Sequence, residues 1–171
     1  MAGIDRYISP EYRELNEQLH RHRNDYGVKG DKHLRRVRRV RNQYRADTVL
    51  DYGCGSAELA RHAEFPVACY DPCIPDYSEL PYPSDMIVCT DVLEHVEPEK
   101  LDAVLRHIRD LMRVCGYFVI ATRPDRSKSL PDGSNPHRVI KPGHWWKHQM
   151  GFYFEIASFK VKKGEVECIT E

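Results

Sequence analysis

The stretch Val49-Leu50-Asp51-Tyr52-Gly53-Cys54-Gly55-Ser56-Ala57-Glu58-Leu59 constrains this chain more than any other. A short apolar run ends in an acid, and two glycines one residue apart then turn the chain toward a helix. Glycine lets the backbone approach a ligand closely, and a helix start offers free N–H groups. Strand, glycine turn and helix N-terminus together predict a nucleotide-handling device. Twenty residues after Asp51 a second short run, Val67-Ala68-Cys69-Tyr70, ends in Asp71. An acid at the tip of the second strand is placed to hydrogen-bond both hydroxyls of a ribose. The nicotinamide fingerprint requires Gly or Ala three residues after its second glycine. Here that place holds Glu58, and Asp51 precedes the first glycine. A carboxylate there opposes a pyrophosphate and suits a ligand that carries a cationic amino group.

Around this device the hydrophobic pattern alternates between strand and helix. Pro10 to Asn24 reads as a polar helix with Ser9 as its N-cap and Pro10 at its first position. After a Gly27/Gly30 break, Asp31 to Arg45 reads as a second helix, with Leu34, Val37, Val40 and Tyr44 on one stripe and Lys or Arg over much of the rest. The α/β core then follows: strand 48–52, helix 56–63, strand 67–70, strand 86–90, helix 98–113 with Leu101, Val104, Leu105, Ile108, Leu111 and Met112 inward, and strand 116–121. The proline-rich segment 72–84 (Pro72, Pro75, Pro81, Pro83) predicts that any strand there is short or lost. A Pro-, Ser- and Gly-rich loop, 123–136, leads to a short helix, Gly143 to Met150. A final hairpin, 152–161 and 165–170, turns at Lys163-Gly164. The expected fold is one α/β domain, a Rossmann-like three-layer sandwich with a mostly parallel sheet and a C-terminal antiparallel hairpin. Its organisation is an N-terminal helical segment, 1–46, serving as a lid, on a core of 47–171.

These motifs, DYGCGSAEL, then Asp71, then DMIVCTDVLEHVEPEKL, resemble in order and spacing the successive motifs of class I S-adenosylmethionine-dependent methyltransferases. The resemblance runs from about Thr48 to Ala121 and more weakly to the C-terminus. It implies an S-adenosylmethionine cofactor, with Asp51, Gly53 and Gly55 around the methionine half and Asp71 on the ribose. Pro72 falls where the adenine edge lies, and Thr90 and Asp91 close the far wall. DNA methyltransferases that act on base amino groups carry an Asn/Asp-Pro-Pro-aromatic motif after the fourth strand. This chain has Thr90-Asp91-Val92-Leu93 there, which argues against them.

Asp91, Glu94 and His95 are spaced i, i+3, i+4, so on a helical turn they share one face. His137, in Ser134-Asn135-Pro136-His137-Arg138, follows strand 116–121 at the carboxyl edge where ligands collect in open α/β sheets. His137, His95 and Glu94 are therefore the candidate catalytic residues, as a base or proton relay. The alternative is a divalent cation, magnesium or manganese before cobalt or zinc, held by Asp91, Glu94, His95 and His137. The set resembles the metal-binding pattern of small-RNA 2′-O-methyltransferases and some quinone-pathway O-methyltransferases. Asp91 stands where that pattern has Glu, one methylene longer, and the relay is the preferred reading.

The acceptor is expected to be an oxygen or nitrogen of a small molecule or sugar. The basic helix raises nucleic acid, RNA or DNA, as a rival acceptor, although Glu11, Glu14, Glu17 and Asp25 on the preceding helix are placed to neutralise it. A catalytically silent cofactor-binding partner protein is the other rival, and intact glycines and ribose acid argue against it. Trp145-Trp146, with His144 and His148, either walls a substrate pocket or anchors a short helix. The Tyr26-Gly27 to Gly30 turn is a candidate lid over the cofactor. Lys plus Arg and Asp plus Glu both number 26 in 171 residues, net charge +0, so the whole-molecule field selects no polyanionic partner. No apolar run long enough for a membrane span and no secretory leader appear, and the six scattered cysteines read as reduced. The cytoplasm is the expected compartment.

Overall fold

The computed structural model describes residues 3–22 and 30–171. A six-stranded sheet lies at its centre in the order β2-β1-β3-β4-β6-β5. Here β1 is Val49–Tyr52, β2 Ala68–Tyr70, β3 Ser84–Thr90, β4 Met112–Ala121, β5 Ile156–Lys162 and β6 Glu165–Thr170. The pairs β1–β2, β1–β3 and β3–β4 are parallel, whereas β6 runs antiparallel to both β4 and β5. The helices are α1 (Pro10–His22), α2 (Leu34–Tyr44), α3 (Glu58–His62), α4 (Leu101–Leu111) and α5 (Gly143–Gly151). No described helix is long and apolar enough to cross a membrane.

Strand periodicity explains the layers. Successive side chains of a strand point to opposite faces, and strands covered on both faces read as unbroken apolar runs. In β3, Met86 and Val88 pack with Val37 and Val40 of α2 and Leu59 of α3, whereas Ile87 and Cys89 pack with Leu105 and Ile108 of α4 and Trp146 and Met150 of α5. The same parity runs through β4, with Tyr117 and Val119 on the first face and Phe118 and Ile120 on the second. Two helical layers thus sandwich one sheet, as the alternation predicted.

Several boundaries differ from the sequence expectation. The helix after the glycine turn starts at Glu58, not 56, because Ala57 is left-handed (φ 59). Met112 opens β4 instead of closing the inward stripe of α4, since its own backbone is already extended (φ −83, ψ 123). The chain before α4 is a 3-10 turn, Pro98–Lys100, where a proline fits the first position. Residues 152–155 precede the last hairpin instead of opening it, and β5 begins at Ile156. Between β2 and β3 the described residues hold only a 3-10 turn, Pro75–Tyr77, so the proline-rich segment forms no strand there. The hairpin turn at Lys163-Gly164 stands, with Gly164 at φ 83. All six cysteines are free thiols. Asp25 and the Tyr26-Gly27 to Gly30 lid, up to residue 29, lie outside the described residues.

Candidate active site

The carboxyl ends of β1, β2, β3 and β4 open into a cavity of about 430 Å³, a volume typical of small-molecule sites. Asp51, Gly53, Gly55, Asp71, Pro72, Thr90 and Asp91 all line it. Glu94, His95 and His137 line it as well. Local sequence accounts for the first wall. Gly53 sits at φ 80 and Gly55 at φ 53, a region glycine enters without steric cost. A Cβ on Gly53 would meet Cγ1 of Val92 at 2.8 Å and Cγ2 closer still, so only a bare Cα fits between β1 and the segment after β3.

The turn differs from the expectation in one respect. Its N–H groups are not free for a ligand: Gly53 and Cys54 donate to the carbonyl of Tyr70 at 2.7 and 3.1 Å, and Gly55 donates to Oδ2 of Asp71 at 3.0 Å. Its contribution to the cavity is therefore close backbone approach. Asp71 also accepts from the Cys73 N–H at 2.9 Å, so the acid at the tip of β2 ties the first turn to the second. A carboxylate has about four acceptor positions, which leaves capacity toward the cavity. Burial pushes the Asp71 carboxyl up, opposed by the N–H groups of Cys73 and Gly55 and by His20. Asp51 is 4% exposed, and burial, with Cys69 and Asp71 adding to the effect, pushes its carboxyl up to about 8.

The second wall is knitted by contacts distant in sequence. Glu94 is 1% exposed. Its Oε1 accepts the Ala121 N–H at 3.0 Å, whereas Oε2 is buried without a hydrogen-bond partner. Its backbone carbonyl accepts from Arg138 and Val139 at 2.6 and 2.9 Å, which draws the His137 segment onto the turn after β3. The His95 and His137 rings meet edge to face, centroids 4.7 Å apart. Burial pushes the Glu94 carboxyl up to about 8 and the His95 imidazole down to about 4.

Asp91 departs from the expected cluster. The turn holding Glu94 and His95 is a 3-10 turn, Leu93–His95, and Asp91 lies outside it at φ 57, a left-handed conformation that Asp tolerates better than most residues. Its carboxylate faces the start of α2, with Oδ2 at 2.5 Å from Lys32 Nζ and 3.9 Å from His33 Nε2. The bonds from His33 and Lys32 outweigh burial and hold it well below the usual carboxylate range. The i, i+3, i+4 spacing thus brings Glu94 and His95 to His137 but gives Asp91 to Lys32.

Three contributors have no local signature in the sequence. The Tyr12 hydroxyl lies 2.8 Å from the His95 carbonyl oxygen and 3.2 Å from that of Pro136, sharing one hydrogen between the segments that carry His95 and His137. Glu97 accepts from the Ser9 N–H at 2.8 Å and from its hydroxyl at 2.6 Å, anchoring α1 at the N-cap predicted for it. Asn135 Oδ1 accepts from both the Asp125 and the His137 N–H groups, joining the loop after β4 to His137. The tryptophans serve the anchoring alternative: Trp146 is fully buried between α5 and the sheet, and neither tryptophan lines the cavity. On α2, Arg36 pairs with Glu167 and Arg38 with Glu64, so these two described partners are not the α1 acids expected to neutralise the helix.

The chain matches the family described as "Methyltransferase domain" over residues 13–161. It belongs to that family. It is an S-adenosylmethionine-dependent methyltransferase, and S-adenosylmethionine is its cofactor. Solved structures share the fold at low identity. The 1,6-didemethyltoxoflavin-N1-methyltransferase of Burkholderia thailandensis, with 1,6-didemethyltoxoflavin and S-adenosylhomocysteine bound, superposes with a TM-score of 0.67 at 15% identity, over 99% of this chain and 90% of that one. DhpI in its SAM–HEP complex gives 0.61 at 16%, over 100% and 99%. The PH0226 protein of Pyrococcus horikoshii OT3 gives 0.55 at 14%, over 96% of each chain. No curated protein matches the sequence. Burial pushes the Asp51 carboxyl up to about 8 where it lines the cavity, and a cationic group placed beside it would favour its charged form.

Proposed function

We propose that this methyltransferase alkylates an oxygen or nitrogen of a small-molecule or sugar acceptor in the cavity at the carboxyl ends of β1 to β4. One observation carries the reading. The glycine turn and its two acids line the same cavity as Glu94, His95 and His137. Cofactor handling and nucleophile handling therefore share a single space. Asp51 takes the amino group of the cofactor, Gly53 and Gly55 give its methionine half room, and Asp71 takes the ribose. Pro72, Thr90 and Asp91 complete the cofactor's surroundings. S-adenosylmethionine supplies a methyl group on a sulfonium, so activation and leaving group come with it. The chain has two tasks left: to hold the acceptor in line, and to manage the proton its nucleophile loses.

Glu94, His95 and His137 act on the acceptor's nucleophilic atom. Tyr12, Asn16 and His20 of α1 border the cavity, and α1 with the start of α2 serves as the lid of the 1–46 segment. Likeness of fold to a methyltransferase solved with a small heterocycle bound supports an acceptor of that size. A methyl-label transfer screen over metabolite, RNA and DNA fractions tests the reading. Label in the metabolite fraction supports it, and label confined to RNA or DNA overturns it.

A further inference from the structure

We propose that the methyl acceptor carries an oxyanion, a carboxylate or a phospho group, which Arg123 and Arg126 hold at the exposed edge of the cavity. The inference rests on the reading that a small molecule is methylated there. The chain leaves β4 as Arg123-Pro124-Asp125-Arg126-Ser127-Lys128, and both arginines and the lysine line the cavity. Arg123 and Arg126 are exposed. Among the described residues no ion pair engages either of them.

The acids around the same space are otherwise engaged. Asp91 pairs with Lys32 and Glu165 with Lys162. Glu97 accepts from the N–H and hydroxyl of Ser9. Asp125 accepts from the N–H groups of Ser127 and Lys128 and from the Ser127 hydroxyl. Asp51 and Asp71 serve the cofactor, and the Glu94 carboxyl, raised to about 8, holds its proton at neutral pH. The charge left uncommitted is therefore positive, and a guanidinium is a planar fork that matches carboxylate and phosphate oxygens.

The arginine loop is built onto the segment that carries His137. Asn135 closes a three-bond clip: its Oδ1 accepts from the N–H groups of Asp125 and His137 at 3.2 and 2.9 Å, and its Nδ2 donates to the Asp125 carbonyl at 2.8 Å. Asp125, between the two arginines, is thus held by both of its backbone groups. The Nδ1 of His137 lies 2.6 Å from the Arg123 carbonyl oxygen. A carbonyl only accepts, so Nδ1 carries the hydrogen and Nε2 the lone pair that receives a proton. The Arg123 side chain lies across Gly164 of the β5–β6 turn, where a Cβ would come within 2.7 Å of its Cδ and closer still to its Nε. Cation and base therefore share one clamped loop, and an acceptor anchored by its oxyanion is held near His137. The cofactor has a carboxylate of its own, but these arginines follow β4 and are tied to His137, whereas the cofactor's glycine turn follows β1.

NMR shift titration of the protein saturated with S-adenosylhomocysteine tests the proposal, with sodium phosphate and sodium acetate as probes at constant ionic strength. At least one probe binds and shifts resonances of residues 123–137. Arg123→Gln/Arg126→Gln weakens that binding by about tenfold or more, as loss of charged hydrogen bonds requires, while calorimetry finds its S-adenosylhomocysteine affinity within a few-fold of wild type. Arg123→Lys/Arg126→Lys, which keeps the charge, falls between the two. Tighter phosphate binding names a phospho group and tighter acetate binding a carboxylate. Binding by neither probe, equal binding in the glutamine variant, or an equally large loss of S-adenosylhomocysteine affinity, which assigns the arginines to the cofactor, overturns the proposal. Anion exchange of the methyl-labelled metabolite separates the two readings. A retained product supports the oxyanion, an unretained one overturns it and leaves small-molecule methylation standing, and label confined to RNA or DNA overturns both.

Discussion

Gly53→Ala probes the cavity wall where sequence, backbone and packing coincide. At φ 80 an alanine pays a left-handed penalty of about 1–2 kcal/mol. Its methyl also lands at 2.8 Å or less from two Val92 carbons, an overpacking that typically costs about 1–3 kcal/mol. The sum, roughly 2–5 kcal/mol, is a large share of the ~5–15 kcal/mol that stabilises a domain. At about 2–4 °C per kcal/mol for a chain of this size, the melting midpoint falls by roughly 4–20 °C. Val92→Ala separates the two contributions, because it removes both clashing carbons and leaves the backbone conformation alone. In that background Gly53→Ala retains the ~1–2 kcal/mol backbone part and the milder contact with the remaining Cβ of residue 92 at 3.2 Å. Thermal and denaturant melts of the four proteins complete the cycle. An equal cost of Gly53→Ala in both backgrounds refutes the contact with Val92, and no cost in either refutes the left-handed turn.

Three further outcomes are expected. Asp51 is raised to about 8 in the folded protein against about 3.9 unfolded, so the native state holds a proton the unfolded chain has released. The stability difference between Asp51→Asn and wild type therefore grows in favour of Asn as pH rises from about 4 to about 8, and a pH-independent difference in melting refutes this. Tyr12→Phe removes the hydroxyl shared by the His95 and Pro136 carbonyls and lowers stability by about 1 kcal/mol; an unchanged denaturation midpoint argues that the hydroxyl does not hold the two segments. With Arg36 and Arg38 engaged by Glu167 and Glu64, no RNA or DNA binds with a steep salt response. A slope near −3 in log affinity against log salt, as four single-strand phosphate contacts produce, reinstates the nucleic-acid reading.

What the sequence revealed was local. The run from Val49 to Gly55 carries its strand, its turn and its acid within a few residues, and β3 shows its two covered faces as an unbroken apolar stretch. The misplaced features depend on backbone states or partners that spacing does not encode. A helical turn was expected to unite Asp91 with Glu94 and His95, but a left-handed Asp91 before a 3-10 turn breaks that face and Lys32 collects the carboxylate. The free N–H groups expected of the glycine turn are consumed by Tyr70 and Asp71, residues of the neighbouring strand end. Tyr12 reaches His95 and Pro136 across more than eighty residues of chain, and a tyrosine on a polar helix carries no mark of that role. Glu94, His95 and His137 did come together, because the turn after β3 and the loop after β4 leave the same edge of two paired parallel strands.

The central claim is that Asp51 and the glycine turn receive the cofactor's methionine half. Titration calorimetry with S-adenosylhomocysteine on wild type and Asp51→Asn tests it most directly, since no hydrogen bond within the described structure rests on the Asp51 carboxylate and the variant is expected to fold. The account predicts one equivalent bound by wild type and an affinity about 10- to 100-fold lower in Asp51→Asn, the ~1.5–3 kcal/mol of a charged hydrogen bond. Wild type that does not bind, or Asp51→Asn that binds equally well, contradicts it.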